Sequence, residues 1–187
     1  MEELSKEAQK ELLKIARATV EAAVKGEDIP KFDVKNAELQ KPRGVFVTLQ
    51  NPKRREKLRG CIGYFNADRP VWEQVRRMAV AAATEDYRFA ADPVTPGELE
   101  QIRIEISVLS PMQRIDDPLK IEMGKHGIYI KRGGRSGTYL PQVAEHFRTK
   151  EEFLSSCCAD KAGLAPDAWK DKNTEVYVYT AQVFGEE

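Results

Sequence analysis

At 187 residues, with 30 Lys and Arg against 30 Asp and Glu, the chain carries no formal net charge. That length suits one domain, or one domain with a small lobe, and the balance gives no general attraction for nucleic acid or an anionic membrane. Three cysteines and two histidines, with no pair at ligand spacing, speak against a disulfide framework and a zinc site.

The first predicted element is a helix over 5–25. Leu12, Ile15, Ala16, Thr19 and Ala23 recur at helical spacing, Ser5 suits an N-cap and Gly26 a stop. It is charged rather than an apolar leader, and no apolar run reaches membrane-spanning length, so a reducing, cytoplasmic location is expected. Val45 to Gln50 reads as a strand. A charged loop, Asn51 to Lys57, leads to a second strand from Leu58, and the two form a hairpin. A helix opens at Arg69-Pro70, with Asp68 as a cap and Val71, Val75, Met78, Ala79 and Ala82 as its buried stripe. The polar and aromatic run Thr84 to Phe89 closes it.

Ile102 to Leu109 alternates cleanly, with the isoleucines on one face and Arg103, Glu105 and Ser107 on the other. Ile128 to Leu140, turning at Gly133-Gly134, reads as a second hairpin. A short helix follows Pro141. Another starts at the capping-box spacing of Thr149 and Glu152, burying Phe153, Leu154 and Cys157. Val176 to Phe184 is one final strand. The expected class is α+β, a mainly antiparallel or mixed sheet flanked by helices.

Chemistry concentrates at Leu58-Arg59-Gly60-Cys61-Ile62-Gly63. Regular alternation sets Arg59 and Cys61 on one face and Leu58 and Ile62 on the other. An arginine there would favour the thiolate. Gly60 and Gly63 mark close approach by another backbone or a ligand. The candidate set is Cys61 as nucleophile, Arg59 as clamp for an anionic group, His126 as general base and Glu105 orienting His126 or pairing with Arg59. Structural readings stand beside these: Cys61 filling space, Arg59 and Glu105 as an ion pair, His126 capping a turn between Gly124 and Gly127. His146 reads as packing, and Cys157 and Cys158 as helix core. The cations of Lys53 to Lys57 could attract RNA, with Tyr64, Phe65, Tyr87 and Phe89 as stacking groups, but a solvated hairpin tip is favoured. No phosphate-binding glycine loop, nicotinamide fingerprint or metal-ligand cluster is present, and no cofactor is expected.

These residues, with Asp86-Tyr87-Arg88-Phe89, Glu105 to Leu109, Gly124-Lys125-His126-Gly127, Tyr139-Leu140-Pro141-Gln142-Val143, Lys161-Ala162-Gly163-Leu164 and Val183-Phe184, resemble the AMMECR domain family in order and over nearly the whole chain. Ala90-Ala91 before Asp92-Pro93 departs from a shorter family run. The resemblance implies a single domain over 1–187, with a possible small lobe around 58–100. It implies an α+β fold with a larger and a smaller subdomain and a cleft between them, and no settled activity. It also implies a genomic grouping with Memo-type and radical-SAM-type proteins. The favoured reading is a cleft enzyme using a Cys61 thiolate on a small or nucleotide-like substrate; the alternatives are a non-catalytic ligand-binding or adaptor module serving those partners, and an RNA-binding module.

Overall fold

In a computed structural model of the chain, which describes residues 3–186, two compact units are distinguished. The larger gathers residues 3–109 with 182–186, and the smaller is Ser110–Ala181. The stretch 58–100 lies wholly within the larger one.

In the larger unit, α1 (Lys6–Lys25) begins where the Ser5 side chain accepts from the Ala8 N–H and ends at Gly26, as its sequence predicts. Strands β1 (Val45–Gln50) and β2 (Leu58–Tyr64) form the expected antiparallel hairpin. Helix α2 (Val71–Thr84) starts after Pro70 with no side-chain cap, so Asp68 does not play that part. Strand β3 (Arg103–Leu109) pairs antiparallel with β1, and β8 (Ala181–Gly185) completes a sheet ordered β2-β1-β3-β8. Val45, Val47, Leu49, Ile104, Ile106 and Val108 face one core with the buried stripes of α1 and α2. The period-two and period-3.6 patterns therefore meet on one side of the sheet, leaving the side with Thr48, Cys61 and Glu105 free of these helices.

In the smaller unit, β4 (Gln113–Ile115), β5 (Gly127–Arg132), β6 (Arg135–Tyr139) and β7 (Glu175–Tyr179) form a second antiparallel sheet ordered β4-β7-β5-β6. Helix α3 (Lys150–Ser156) starts at Thr149, whose hydroxyl accepts from the Glu152 N–H, and runs into a π turn, Cys157–Lys161. Ile128, Ile130, Val176 and Val178 pack with Phe153, Leu154, Cys157, Cys158 and Trp169. Both cysteines are thus core residues; burial pushes the Cys157 thiol up to about 12.

Two expectations are corrected. The terminal strand is not one element: it breaks at Thr180, with β7 in the second sheet and β8 in the first. The break is fixed by Ser110, whose N–H donates to the Thr180 carbonyl while its hydroxyl accepts from the Thr180 N–H. The second correction lies inside β2. Gln50 pairs with Leu58 but Leu49 pairs with Gly60, so Arg59 is an extra residue in a β-bulge and simple alternation fails there.

Candidate functional site

The bulge separates the two residues that alternation would have put together. Arg59 has no cross-strand partner, and its guanidinium lines a recess with Ala82 and Ala83 from the last turn of α2. Its side chain is only 2% exposed. Nε donates to Glu98 at 2.9 Å, Nη1 to Asp92 at 3.2 Å, and Nη2 to the Asp92 and Pro93 carbonyls and to Glu98. Glu98 also accepts from Asn51 at 2.8 Å, and Arg54 bridges to both Asp92 and Glu98. A buried guanidinium must be paired to be tolerated, and Arg59 is paired on nearly every N–H. Its ion-pair partners are Glu98 and Asp92, where the sequence suggested Glu105.

Cys61 stands on the other side of the sheet. Thr48 is opposite Cys61 on β2 and opposite Glu105 on β3, so the three form a row across the sheet. Thr48 Oγ1 donates to Cys61 Sγ at 3.3 Å. Burial pushes the half-buried thiol up from its ordinary value; the Thr48 hydrogen bond and the Arg88 charge work against this, and the Asp86 and Glu105 charges add to it. The net direction is upward, so the resting group is a neutral thiol. Arg59 plays no part in that balance.

Asp86 and Arg88 hold the Cys61 peptide from outside the sheet. β2 is an edge strand, and an edge residue leaves its N–H and C=O without a strand partner. Here the Asp86 carboxylate accepts from the Cys61 N–H at 2.9 Å, and Arg88 Nη2 donates to the Cys61 carbonyl at 3.1 Å. Arg88 is bidentate on Asp86, whose side chain is 2% exposed. Burial pushes the Asp86 carboxyl up, but hydrogen bonds from Arg88 and Cys61 outweigh it and leave it below its ordinary 3.8.

Asp86→Asn is therefore expected to cost about 1–3 kcal/mol at neutral pH, because Arg88 loses its carboxylate. The folded carboxyl titrates below the unfolded one. Its contribution is complete above the ordinary value and is lost as pH falls through the folded one. Urea titrations at neutral pH and in acid check this: the gap between wild type and variant should close in acid.

The two glycines of the motif admit protein groups. A Cβ on Gly60 would stand 2.0 Å from the Ala82 carbonyl oxygen of α2, and one on Gly63 would strike the Phe46 ring at 2.1 Å. The close approaches expected there are those of α2 and of Phe46. The recess beside Arg59 holds about 90 Å³ and is further lined by Asp86, Phe89 and Pro93. That is room for about three waters.

His126 belongs to the smaller unit, whereas Cys61, Arg59, Gly60, Gly63 and Glu105 belong to the larger. Its Nδ1 accepts from the Glu122 N–H at 3.1 Å, and its backbone N–H donates to the Glu122 carbonyl. It closes a tight turn before β5. Among the described residues, no group of three or more His, Cys, Asp or Glu side chains could hold a metal ion, and no helix is long and apolar enough to cross a membrane.

Sequence reasoning missed Thr48, Asp86, Arg88 and Glu98 as members of this site. Asp86 and Arg88 lay within a run already tied to the family resemblance. Glu98 carried no signal, since its partner Arg59 is 39 residues away.

The comparisons agree on one lineage. A protein of Methanopyrus kandleri is 43% identical over 100% of this chain and 92% of its own length. One of Nanoarchaeum equitans is 42% identical over 94% of this chain and 99% of its own length. The crystal structure of an uncharacterised protein from Pyrococcus horikoshii superimposes with a TM-score of 0.85 at 38% identity, covering 94% of this chain and 90% of that one. The AMMECR1 family model matches residues 13–184. The chain belongs to the AMMECR1 family.

Proposed function

We propose that this chain is a non-catalytic ligand-binding or adaptor module in which the Thr48–Cys61–Glu105 row receives a small polar ligand. The observation that carries this reading is the setting of Cys61: its sulfur accepts from Thr48 and its peptide is clamped by Asp86 and Arg88, with burial favouring the neutral thiol. The Cys61 S–H can donate to a ligand while its sulfur accepts from the buried Thr48 hydroxyl, which suits recognition by hydrogen bonds. The Memo-type and radical-SAM-type proteins that accompany the family are the partners such a module would serve. Arg59 acts in this reading through the bulge, and Gly60 and Gly63 through the close packing that holds β2 in place.

A second reading keeps Cys61 as nucleophile, with Glu105 on the same sheet face as its acid–base partner, because the thiol remains partly exposed. RNA binding through the Lys53–Lys57 loop is less favoured, since Arg54 is engaged by Asp92 and Glu98.

Alkylation of Cys61 against pH, with Cys157 and Cys158 replaced by serine, separates the first two readings. The expected midpoint lies above the ordinary 9.0 and is unmoved by Arg59→Lys. A midpoint well below about 8.5 would establish an activated thiolate and replace the binding reading with the enzyme.

A further inference from the structure

Where the end of β4 meets the start of β7, the smaller unit has a cavity of about 260 Å³. Ile115 is opposite Val176 in that strand pair, and both belong with Trp169 to the unit's core. These three, with Pro118, give the cavity its apolar lining. Thr174 stands two residues before Val176, and the period of extended chain turns it to the same side. It lines the same cavity, is 8% exposed, and its buried hydroxyl has no hydrogen-bond partner among the described residues. Its N–H donates to the Asp171 carbonyl at 2.9 Å, which fixes the turn that presents it. Buried hydroxyls are nearly always paired, and one that is not, at the wall of a cavity, points to a ligand atom.

The charged groups around the cavity do not balance. Asp171 is held by Arg132 at 2.8 Å. Arg114 also borders the cavity, but it lies opposite Tyr177, on the other face of the sheet from Val176, and its guanidinium is engaged there 3.7 Å from Glu175. The exposed lining groups that remain are Lys170, Lys172 and Asp116, two cations against one carboxylate. Lys170 Nζ stands 5.1 Å from the centroid of the Trp169 ring, which keeps that cation at the cavity wall. The exposed side therefore favours an anionic group. Ile115, Pro118 and Val176 suit an apolar body, and Thr174 suits a hydroxyl, with which it can both donate and accept. Drug-sized ligands occupy clefts of roughly 300–1,000 Å³, so an acid built on a single ring is the size that fits.

We propose that this cavity binds a small aromatic carboxylate bearing a hydroxyl, with Lys170 and Lys172 holding the carboxylate and Thr174 pairing with the hydroxyl. The site lies in the smaller unit and shares no residue with the Thr48–Cys61–Glu105 row. The chain has two tryptophans, Trp72 in α2 and Trp169 at the cavity. Their indole N–H signals in a proton–nitrogen correlation spectrum of the intact chain give a reporter and an internal control, and Trp72→Phe assigns them. The probes are para-hydroxybenzoate, benzoate, which lacks the hydroxyl, and para-hydroxybenzamide, which lacks the charge. Para-hydroxybenzoate should shift the Trp169 signal and leave that of Trp72 in place. It should bind about 5-fold more tightly than benzoate, the worth of one net hydrogen bond. Thr174→Val should erase that margin, and Thr174→Ser should keep it. Lys170→Gln and Lys172→Gln should each weaken carboxylate binding roughly 2- to 5-fold and leave para-hydroxybenzamide unchanged. The proposal is overturned if the Trp169 signal does not move at millimolar para-hydroxybenzoate, or if the Trp72 signal moves with it. Equal binding of benzoate and para-hydroxybenzoate to the wild-type chain overturns it without recourse to any variant, as does carboxylate binding that survives both lysine changes.

Discussion

Replacing Arg59 by methionine is expected to destabilise the larger unit by about 3 kcal/mol, because the buried Glu98 carboxylate loses its buried cation and keeps only the more exposed Arg54 at 3.4 Å. The side chains are 2% and 9% exposed, so water cannot take the place of the missing partner. Glu98→Leu should cost a similar amount from the other side. The double variant is the informative one: with both charges gone, the loss should be smaller than the sum of the two single losses, as a double-mutant cycle by urea denaturation would read. The pH dependence has a definite sign. Burial pushes the Glu98 carboxyl up, but hydrogen bonds from Asn51 and Arg59 and the two arginine charges leave it below 4.5. Its contribution is present at neutral pH and is lost as pH falls through that lowered value, so Glu98→Leu should flatten the acid limb of the stability curve. Strictly additive single losses would show that Arg59 and Glu98 do not act as a pair.

Gly60→Ala is expected to be the most damaging glycine-to-alanine change in the chain. The new Cβ would stand 2.0 Å from the Ala82 carbonyl oxygen, and that atom is backbone in the last turn of α2. No rotamer change relieves the contact; either the helix end or the edge strand must move, at a cost of roughly 3 kcal/mol. Gly97→Ala is the control, since a Cβ there meets nothing within 4 Å, and it should stay within about 0.5 kcal/mol of wild type. Because the displaced strand carries Cys61, Gly60→Ala should also speed Cys61 alkylation. Wild-type stability and thiol reactivity in the Gly60→Ala variant would show that α2 does not hold β2 in place.

Both results bear on how the motif should be understood. Six residues that look like an assembled reaction centre divide into two devices on opposite sides of a sheet. Arg59 and Gly60 serve the α2 side, one by anchoring the 92–98 segment and the other by admitting the helix. Cys61 and Gly63 lie on the far side, beside Thr48 and beneath Phe46. Arg59 and Gly60 are buried in the packing of one bulged edge strand, whereas Cys61, like Leu58, Ile62 and Gly63, retains partial exposure.

The sequence by itself determined the α+β class, the span and caps of α1, the two hairpins, the alternation of β3 and the family. Each of these rests on contacts within a few residues or on a period that one face of an element imposes: Leu12 and Ala16 must share a helix face, and Ile104 and Ile106 a strand face, whatever lies opposite. Only the tertiary structure decided the bulge at Arg59, the partner of that arginine, the state of the Cys61 thiol and the division of the last strand at Thr180. A bulge leaves no mark in composition, since an arginine inside Leu-Arg-Gly-Cys reads the same paired or unpaired. The thiol's proton affinity depends on burial and on Asp86, Arg88 and Glu105, which come from other elements. The break at Thr180 depends on which sheet edges are open to the residues on either side of it. All are long-range contacts, and no local pattern in the chain encodes them.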